Sequence, residues 1–508
     1  MLPVRVRFAP SPTGALHIGG VRTALYNYLL AKKTGGSFVL RIEDTDQKRY
    51  VEGAESYIRE ALNWCGLDPM EGPEQGGEYG PYRQSERRDI YQKYTQQLLD
   101  NDKAYYAFDT PEELTEARSA AEAAGKHSFK YDAGSRMQMR NSLSLGAAKT
   151  KELIEAGTPY VVRLRIEPGH TVSFSDIVRG QVSFASEELD DKVMMKADGL
   201  PTYHLANIVD DRSMKITHVI RGEEWLSSTA HHVLLYRAFG WEDEMPAFAH
   251  LPLILKPTGK GKLSKRDGQK LGMPVFPLAW EAEDLIGFRE AGFDPRAVVN
   301  FLAFLGWNPG TEQEIFSLDE LVEAFTLDNI GKSGARFDYD KAKWYNQQYI
   351  LADSPEELLP KVKPFFVRAG VDTTDDHLLK VIGLLRERVT VYPDFVEQSQ
   401  YFFGPVTELE EKIIRKKWKP EQRAKFEQLQ NQLGQVDDWT AGPLKEAIVA
   451  FMEANELGFG AVLPILRVAM SGTTKGPDAF AMMEVLGKDA VVKRLGEGYD
   501  RFDAIKAG

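Results

Sequence analysis

The sequence predicts an α/β protein built on a parallel sheet and extended at its carboxyl end by helices alone. Three observations carry that prediction. Val4, Val6 and Phe8 alternate with Arg5 and Arg7, the period of a strand, and Ile18, Val21, Leu25, Tyr28 and Leu29 then recur at helical spacing. Residues 37–46 read as a second strand that ends in the carboxylates Glu43, Asp44 and Asp46. From about residue 355 onward the pattern is helical almost throughout, with short breaks expected at Pro393, Pro420 and Gly442.

Between these ends the pattern changes several times. Ile90, Tyr94 and Leu98 mark a helix over 86–101, residues 104–108 read as a strand, and the Ala- and Glu-rich residues 111–126 read as a helix. Residues 158–189 switch to short alternating runs, so a helix-rich piece followed by strands forms an α+β module. Strand signal returns over 190–196 and 198–207, and again over 216–220, which ends at Arg221. A helix follows over 227–239, and an apolar helix over 297–306 ends in the turn 306–310.

Composition narrows the class. A chain of 508 residues has length for several domains, and 43% apolar with 27% charged residues is ordinary for a soluble globular protein. No run approaches 18 apolar residues and no secretory leader is visible, so no membrane partner is expected. Cys65 alone excludes an intramolecular disulfide and suits a reducing cytoplasm; it reads as a small core residue. The net charge of −12 argues against indiscriminate nucleic-acid binding but leaves room for local basic patches.

The chemistry gathers where strands give way to helices. After Phe8, Pro10 and Pro12 stop any helix, Gly14 relaxes the backbone, and a helix opens near His17. Such a junction aims free N–H groups at an anion. Ser11, Thr13, His17 and the glycines make it more polar than a plain β–α turn needs. Glu43 stands at the end of the second strand, where open parallel sheets place ligands. Asp44 and Asp46 serve equally well as caps or exposed loop residues.

Residues 10–14 (Pro-Ser-Pro-Thr-Gly) followed by 17–20 (His-Ile-Gly-Gly) resemble the first signature of class I aminoacyl-tRNA synthetases in its glutamyl form. Gly20 stands where the wider class has a second histidine. Residues 262–266 (Lys-Leu-Ser-Lys-Arg), after the glycine- and lysine-rich 257–261, resemble the second signature; a mobile cationic loop is expected there, suited to closing over a triphosphate. The resemblance implies a Rossmann-type nucleotide-binding domain split by an α+β acceptor-stem insert, then a stem-contact domain and an all-α helical-cage anticodon-binding domain of bacterial type. The expected boundaries are 1–108 and 196–250 for the two Rossmann halves, 109–195 for the insert, 251–350 for the stem-contact domain and 351–508 for the helical cage.

The same resemblance implies residue roles. His17, Lys262 and Lys265 would be catalytic, and Thr13, Gly14, His17, Gly19 and Lys265 would bind ATP. Arg7, Ala9, Ser11, Glu43, Tyr203, Asn207 and Arg221 would bind L-glutamate, with Glu43 on the α-ammonium, and Glu224 matches the same pocket. Selecting a carboxylate over an amide calls for a guanidinium, so Arg7, Arg221 or both would clamp the side chain; glutamine would leave a buried charge unpaired at a cost of about 2–5 kcal/mol. Arg388 and Arg467 would read the anticodon. The basic run 412–419 with Trp418 reads more as a solvated helix face than as a phosphate contact. The implied activity is glutamate–tRNA ligation with ATP and Mg²⁺ by a monomer acting on tRNA(Glu), without structural zinc, since the insert has no cysteine. A non-discriminating enzyme that also charges tRNA(Gln), a small-molecule nucleotidylyltransferase and a non-catalytic tRNA-binding protein are the rival readings.

Overall fold

The alternation at the amino terminus forms strand β1 (Arg5–Phe8), which leads through helix α1 (Ile18–Lys33) to the parallel strand β2 (Ser37–Leu40). The second strand stops at Leu40, short of the carboxylates. Its pairing nevertheless continues into the loops: the Arg41 amide donates to the Phe8 carbonyl and the Glu43 amide to the Pro10 carbonyl. That zipper brings Glu43 beside the first signature loop. The computed structural model describes residues 3–125 and 129–507. By internal contacts the chain divides into two units, one comprising residues up to Glu290 with Val298–Tyr339, the other Ala291–Ala297 with Asp340–Gly508.

The first unit continues through α2 (Ala54–Trp64), α3 (Arg88–Asp100), β3 (Ala104–Ala107), α4 (Pro111–Ala123) and α5 (Ser142–Glu155). The end of the helix expected over 111–126 falls at residue 126, outside the described residues. Then come β4 (Val161–Leu164), β5 (Thr171–Asp176), β6 (Gly180–Ala185), β7 (Val193–Met195), α6 (Tyr203–Ser213), β8 (His218–Gly222), α7 (Leu226–Phe239), β9 (Ala247–Leu251) and α8 (Lys265–Leu271). Strands β3, β4 and β7 make an antiparallel sheet, whereas β8 and β5 flank β9 in parallel and β6 pairs antiparallel with β5. The Thr217 amide donates to the Arg5 carbonyl, which sets β1 alongside β8. The carboxyl ends of β1 and β8 therefore face the same space.

The strand expected over 198–207 is corrected: a helix starts at Tyr203. Every residue from Leu205 to Asp211 is buried, the continuous burial of a helix enclosed on several sides rather than the alternation of a half-exposed strand. Cys65 is a buried core residue at the end of α2.

In the second unit the helices Pro355–Arg368, Asp375–Leu385, Tyr392–Phe403, Glu411–Lys417, Arg423–Gly434, Ala441–Ala454, Phe459–Ser471, Ala479–Leu486 and Lys488–Ala507 enclose one apolar core. Pro393 and Gly442 lie in first helical turns and Pro420 opens a short 3₁₀ turn, so the three expected breaks mark helix starts, where a missing or unpaired N–H costs little. Trp418 is fully buried, its indole N–H donating to Asp503 at 2.7 Å and its ring stacked on Tyr499. The one aromatic in the basic run 412–419 is thus part of the core. Asp294 accepts hydrogen bonds from Arg296, Lys361 and Tyr392, which hold its carboxyl well below the usual range despite burial.

Candidate active site

A cleft of about 1240 Å³ opens at the ends of β1 and β8. It brings together Arg7, Ala9, Ser11, Thr13, His17, Gly19, Glu43, Tyr203, Asn207, Arg221, Lys262 and Lys265 on its wall. Gly14 lies beside Lys265 instead: a β-carbon there would stand 3.3 Å from Lys265 Nζ. Its φ of +125° is also one that only glycine adopts readily.

The floor is a lattice of buried charges. Arg7 donates from Nε to Asp211 Oδ1 at 3.0 Å, and Arg41 donates to Asp211 at 2.7 Å and to Glu43 at 3.1 Å. Asp210 accepts from Arg87 at 2.7 Å and lies 3.9 Å from Arg41. Arg221 differs from all of them. Its Nε donates to His250 Nε2 at 3.1 Å, Nη1 to Tyr203 Oη at 2.6 Å and Nη2 to Thr229 Oγ1 at 2.7 Å, with a longer 3.4 Å approach to His232 Nδ1. Every one of these partners is neutral, and no carboxylate of the described residues comes within 4 Å. Arg7, Arg41 and Arg87 thus each meet one or more of the carboxylates Glu43, Asp210 and Asp211, whereas Arg221 meets none among the described residues. Of the two arginines expected to clamp a carboxylate, Arg7 is already engaged. Burial pushes the Glu43 carboxyl upward, against the pull of Arg41 and Arg7, so an added cation beside it would be stabilised.

The other side of the cleft is built on the start of α1. His17 caps that helix, its Nδ1 accepting from the Gly19 amide at 3.1 Å. Burial, reinforced by Lys262 and Lys265, lowers its pKa to about 4, so the ring is neutral near pH 7. With Nδ1 accepting, the proton belongs on Nε2, which is buried and has no hydrogen-bond partner among the described residues. A β-carbon at Gly20 would meet Leu16 Cδ1 at 2.5 Å, so a second histidine there would need Leu16 to move. Opposite stand the two lysines. Lys262 Nζ is tied to Glu224 Oε1 at 2.8 Å, whereas Lys265 has no carboxylate within 4 Å among the described residues and lies 5.7 Å from the Phe276 ring. In this conformation Leu263 of the second loop is buried, and Asp267 accepts from both the amide and the hydroxyl of Ser264, a capping box that starts α8 at Lys265.

Sequence reasoning missed two residues of this wall, Trp225 and Lys196, and one behind it, Asp211. Trp225 packs on Tyr203 with ring centroids 4.4 Å apart, Lys196 donates to the Thr45 carbonyl, and Asp211 neutralises Arg7. An exposed tryptophan directly after a charged strand end was the one legible signal among them.

Behind Arg221 lie His250 and His204, whose ring stands 5.3 Å from that of His231 and 5.5 Å from that of His232. Burial lowers the pKa of His204 to about 3 and also lowers those of His232 and His250. An unfolded histidine titrates near 6.5, so the unfolded chain binds protons that the folded one refuses. Stability is therefore complete above about pH 6.5 and declines as the pH falls toward 4. Denaturation midpoints measured at pH 7.5, 6.0 and 5.0 should drop in that order, and H204N should flatten the slope; a constant midpoint would contradict the buried-neutral assignment.

In the helical unit, a second cavity of about 580 Å³ is lined by Arg388, Tyr401 and Lys475. Arg467 is not on its wall, but Arg467 Nη1 and Tyr401 Oη are buried without hydrogen-bond partners among the described residues. Arg467 lies close to Gly476, a lining residue.

Strand ends, a capping imidazole and a lysine-bearing second loop turned on one cleft are the arrangement of a class I synthetase catalytic domain. Residues 3–344 match the family described as tRNA synthetases class I (E and Q), catalytic domain, and residues 357–499 match an anticodon binding domain. The chain belongs to that class I family. It is 52% identical over 497 residues to a glutamate–tRNA ligase of Phocaeicola vulgatus, with 97% of each chain covered, and equally so to one of Porphyromonas gingivalis. Its fold is similar to the crystal structure of a glutamate tRNA ligase from Elizabethkingia meningosepticum in complex with its amino acid, with a TM-score of 0.94 and 50% identity over 98% of this chain and 99% of that one. The fold is accordingly a Rossmann-like catalytic domain joined to a helical anticodon domain. No helix of the described residues is long and apolar enough to cross a membrane.

Proposed function

We propose that the protein is a glutamate–tRNA ligase, forming glutamyl-adenylate from L-glutamate and ATP and passing the glutamyl group to the terminal adenosine of tRNA(Glu). The uncompensated charge of Arg221 carries this reading. Where glutamine would bring a neutral amide, glutamate brings a side-chain carboxylate that can pair with Arg221. Its ammonium suits Glu43 and its side-chain carboxylate suits Arg221, leaving the α-carboxylate free to attack the α-phosphorus of ATP. Pyrophosphate then leaves as charge grows on the phosphates, where the His17 Nε2–H, Lys265 and, once released from Glu224, Lys262 stabilise it. The 2′-hydroxyl of the terminal adenosine next takes the glutamyl group and AMP departs. No protein nucleophile is needed.

Magnesium fits as an ion carried by the nucleotide. No three His, Cys, Asp or Glu side chains of the described residues form a metal-binding group, so phosphate and water would supply most of its ligands, with Glu224 or Asp46 of the cleft wall as protein contacts. Bound there it supplies neutralisation of phosphate charge. Residues 109–195 are read as the acceptor-stem module, 251–350 as the stem-contact segment and 351–508 as the anticodon domain, where the unpartnered Arg467 and Tyr401 groups await a polar ligand. Arg388 supports discrimination of tRNA(Glu) from tRNA(Gln), and the lone buried Cys65 supports a cytoplasmic setting.

The test is charging of purified tRNA(Glu) and tRNA(Gln) with labelled glutamate, beside a tRNA-free ATP–pyrophosphate exchange control. Charging of tRNA(Glu) alone is expected. Charging of both keeps the chemistry and removes the discrimination assigned to Arg388; charging of neither, with active controls, overturns the reading.

A further inference from the structure

The guanidinium of Arg221 is held by a device on the neighbouring strands. Strands β8 and β9 pair in parallel with Arg221 opposite His250, so the two side chains leave the same face of the sheet. His250 is fully buried, and its Nδ1 lies 2.6 Å from Asp176 Oδ2 at the end of β5. Asp176 Oδ1 also accepts from the Val178 amide at 3.0 Å and the Arg179 amide at 2.8 Å, and the carboxylate accepts from the His250 amide at 3.2 Å. A carboxylate so surrounded by donors is ionised and can only accept, so the imidazole proton must sit on Nδ1. His250 Nε2 is left as a lone pair, facing Arg221 Nε at 3.1 Å and Thr229 Oγ1 at 3.1 Å.

We propose that Asp176 and His250 are positioning residues for amino-acid selection: Asp176 fixes the imidazole tautomer, and His250 aims the Arg221 guanidinium at the incoming side-chain carboxylate without neutralising it. An aspartate in direct contact with Arg221 would aim it equally well but would cancel the charge and repel the ligand. A neutral acceptor at contact, with the carboxylate one ring further back, orients the cation and keeps it available. The opposite tautomer would set an N–H against an N–H and turn Arg221 away. This inference rests on the reading of Arg221 as the contact for the glutamate side chain.

The test uses the full-length enzyme, charging tRNA(Glu) over a range of glutamate or glutamine concentrations, with D176N, H250F, H250Q and R221A. D176N offers its amide to Nδ1 and so permits the wrong tautomer; H250F keeps ring shape and removes the acceptor; H250Q restores an acceptor near the Nε2 position. H250F and D176N should raise KM for glutamate about 10- to 100-fold with kcat little changed, the range seen when an orienting partner is lost. Preference over glutamine should fall in step, and H250Q should recover most of the H250F loss. The inference is overturned if folded H250F and D176N keep the wild-type KM, if kcat falls instead, or if H250Q is no better than H250F. Should H250F not fold, D176N against H250Q carries the comparison. R221A separates the two levels: an unchanged KM in R221A removes the reading of Arg221 itself, whereas a raised KM in R221A with normal D176N and H250F removes only the positioning role.

Discussion

R221A is expected to reduce kcat/KM for glutamate by about 30- to 4000-fold, the equivalent of the 2–5 kcal/mol lost when one partner of a buried charge pair is removed. The size follows from the charge balance of the floor. Arg7 already meets Asp211, and Arg41 meets Asp211 and Glu43, so neither can follow the ligand without abandoning a buried carboxylate. Removing Arg221 therefore leaves the incoming carboxylate without the guanidinium proposed to meet it, while Arg22 on the same wall is held by the Leu305 and Pro252 carbonyls. Activity with glutamine, which presents no such charge, should fall far less, and the ratio between the two amino acids is the quantity to measure. R221K should be nearly as poor, because an ammonium cannot serve His250, Tyr203 and Thr229 while keeping a donor for the ligand. R7A should behave differently, lowering the melting temperature by leaving Asp211 with Arg41 as its only ion-pair partner among the described residues. Equal losses for glutamate and glutamine in R221A would remove Arg221 from the selective step.

The contrast between Arg7 and Arg221 also shows what the sequence can carry. Both stand at the ends of strands whose local pattern is plain, and both were candidates on equal terms. What separates them is Asp211, 204 positions away from Arg7 on a helix whose first residues read as a strand. Local periodicity marks β1, α1 and the carboxyl-terminal helices because those segments bury one face each. It fails over 198–207, where Pro201 and the apolar residues after it read as strand but Tyr203 begins a helix. Trp418 fails for the opposite reason: its basic neighbours pattern as a surface while the ring stacks inside the core. Tyr203 and Asn207 were placed by resemblance rather than by pattern; one helical turn apart on α6, both reach the cleft wall. Asp176 and His250 left no trace in the sequence. Their relation exists only because β5 pairs directly with β9, which carries His250.

On the phosphate side, K265A should slow glutamyl-adenylate formation by about 10²- to 10³-fold, and H17A by a comparable factor. Lys265 is the larger commitment because no carboxylate of the described residues lies within 4 Å of it, so its charge is available without breaking an ion pair. Lys262 must first leave Glu224, and that exchange offsets part of what it adds, so K262A should cost less than K265A. His17 works differently again. It is neutral near pH 7, so it contributes a directed Nε2–H rather than a charge, and the rate should show no titration of this residue between pH 6 and 8. Single-turnover measurement of adenylate formation, with ATP varied, separates these roles. A kcat loss with a modest change in ATP KM places Lys265 in the transition state; a raised KM with an unchanged kcat would make it a ground-state contact and return the larger share of stabilisation to Lys262.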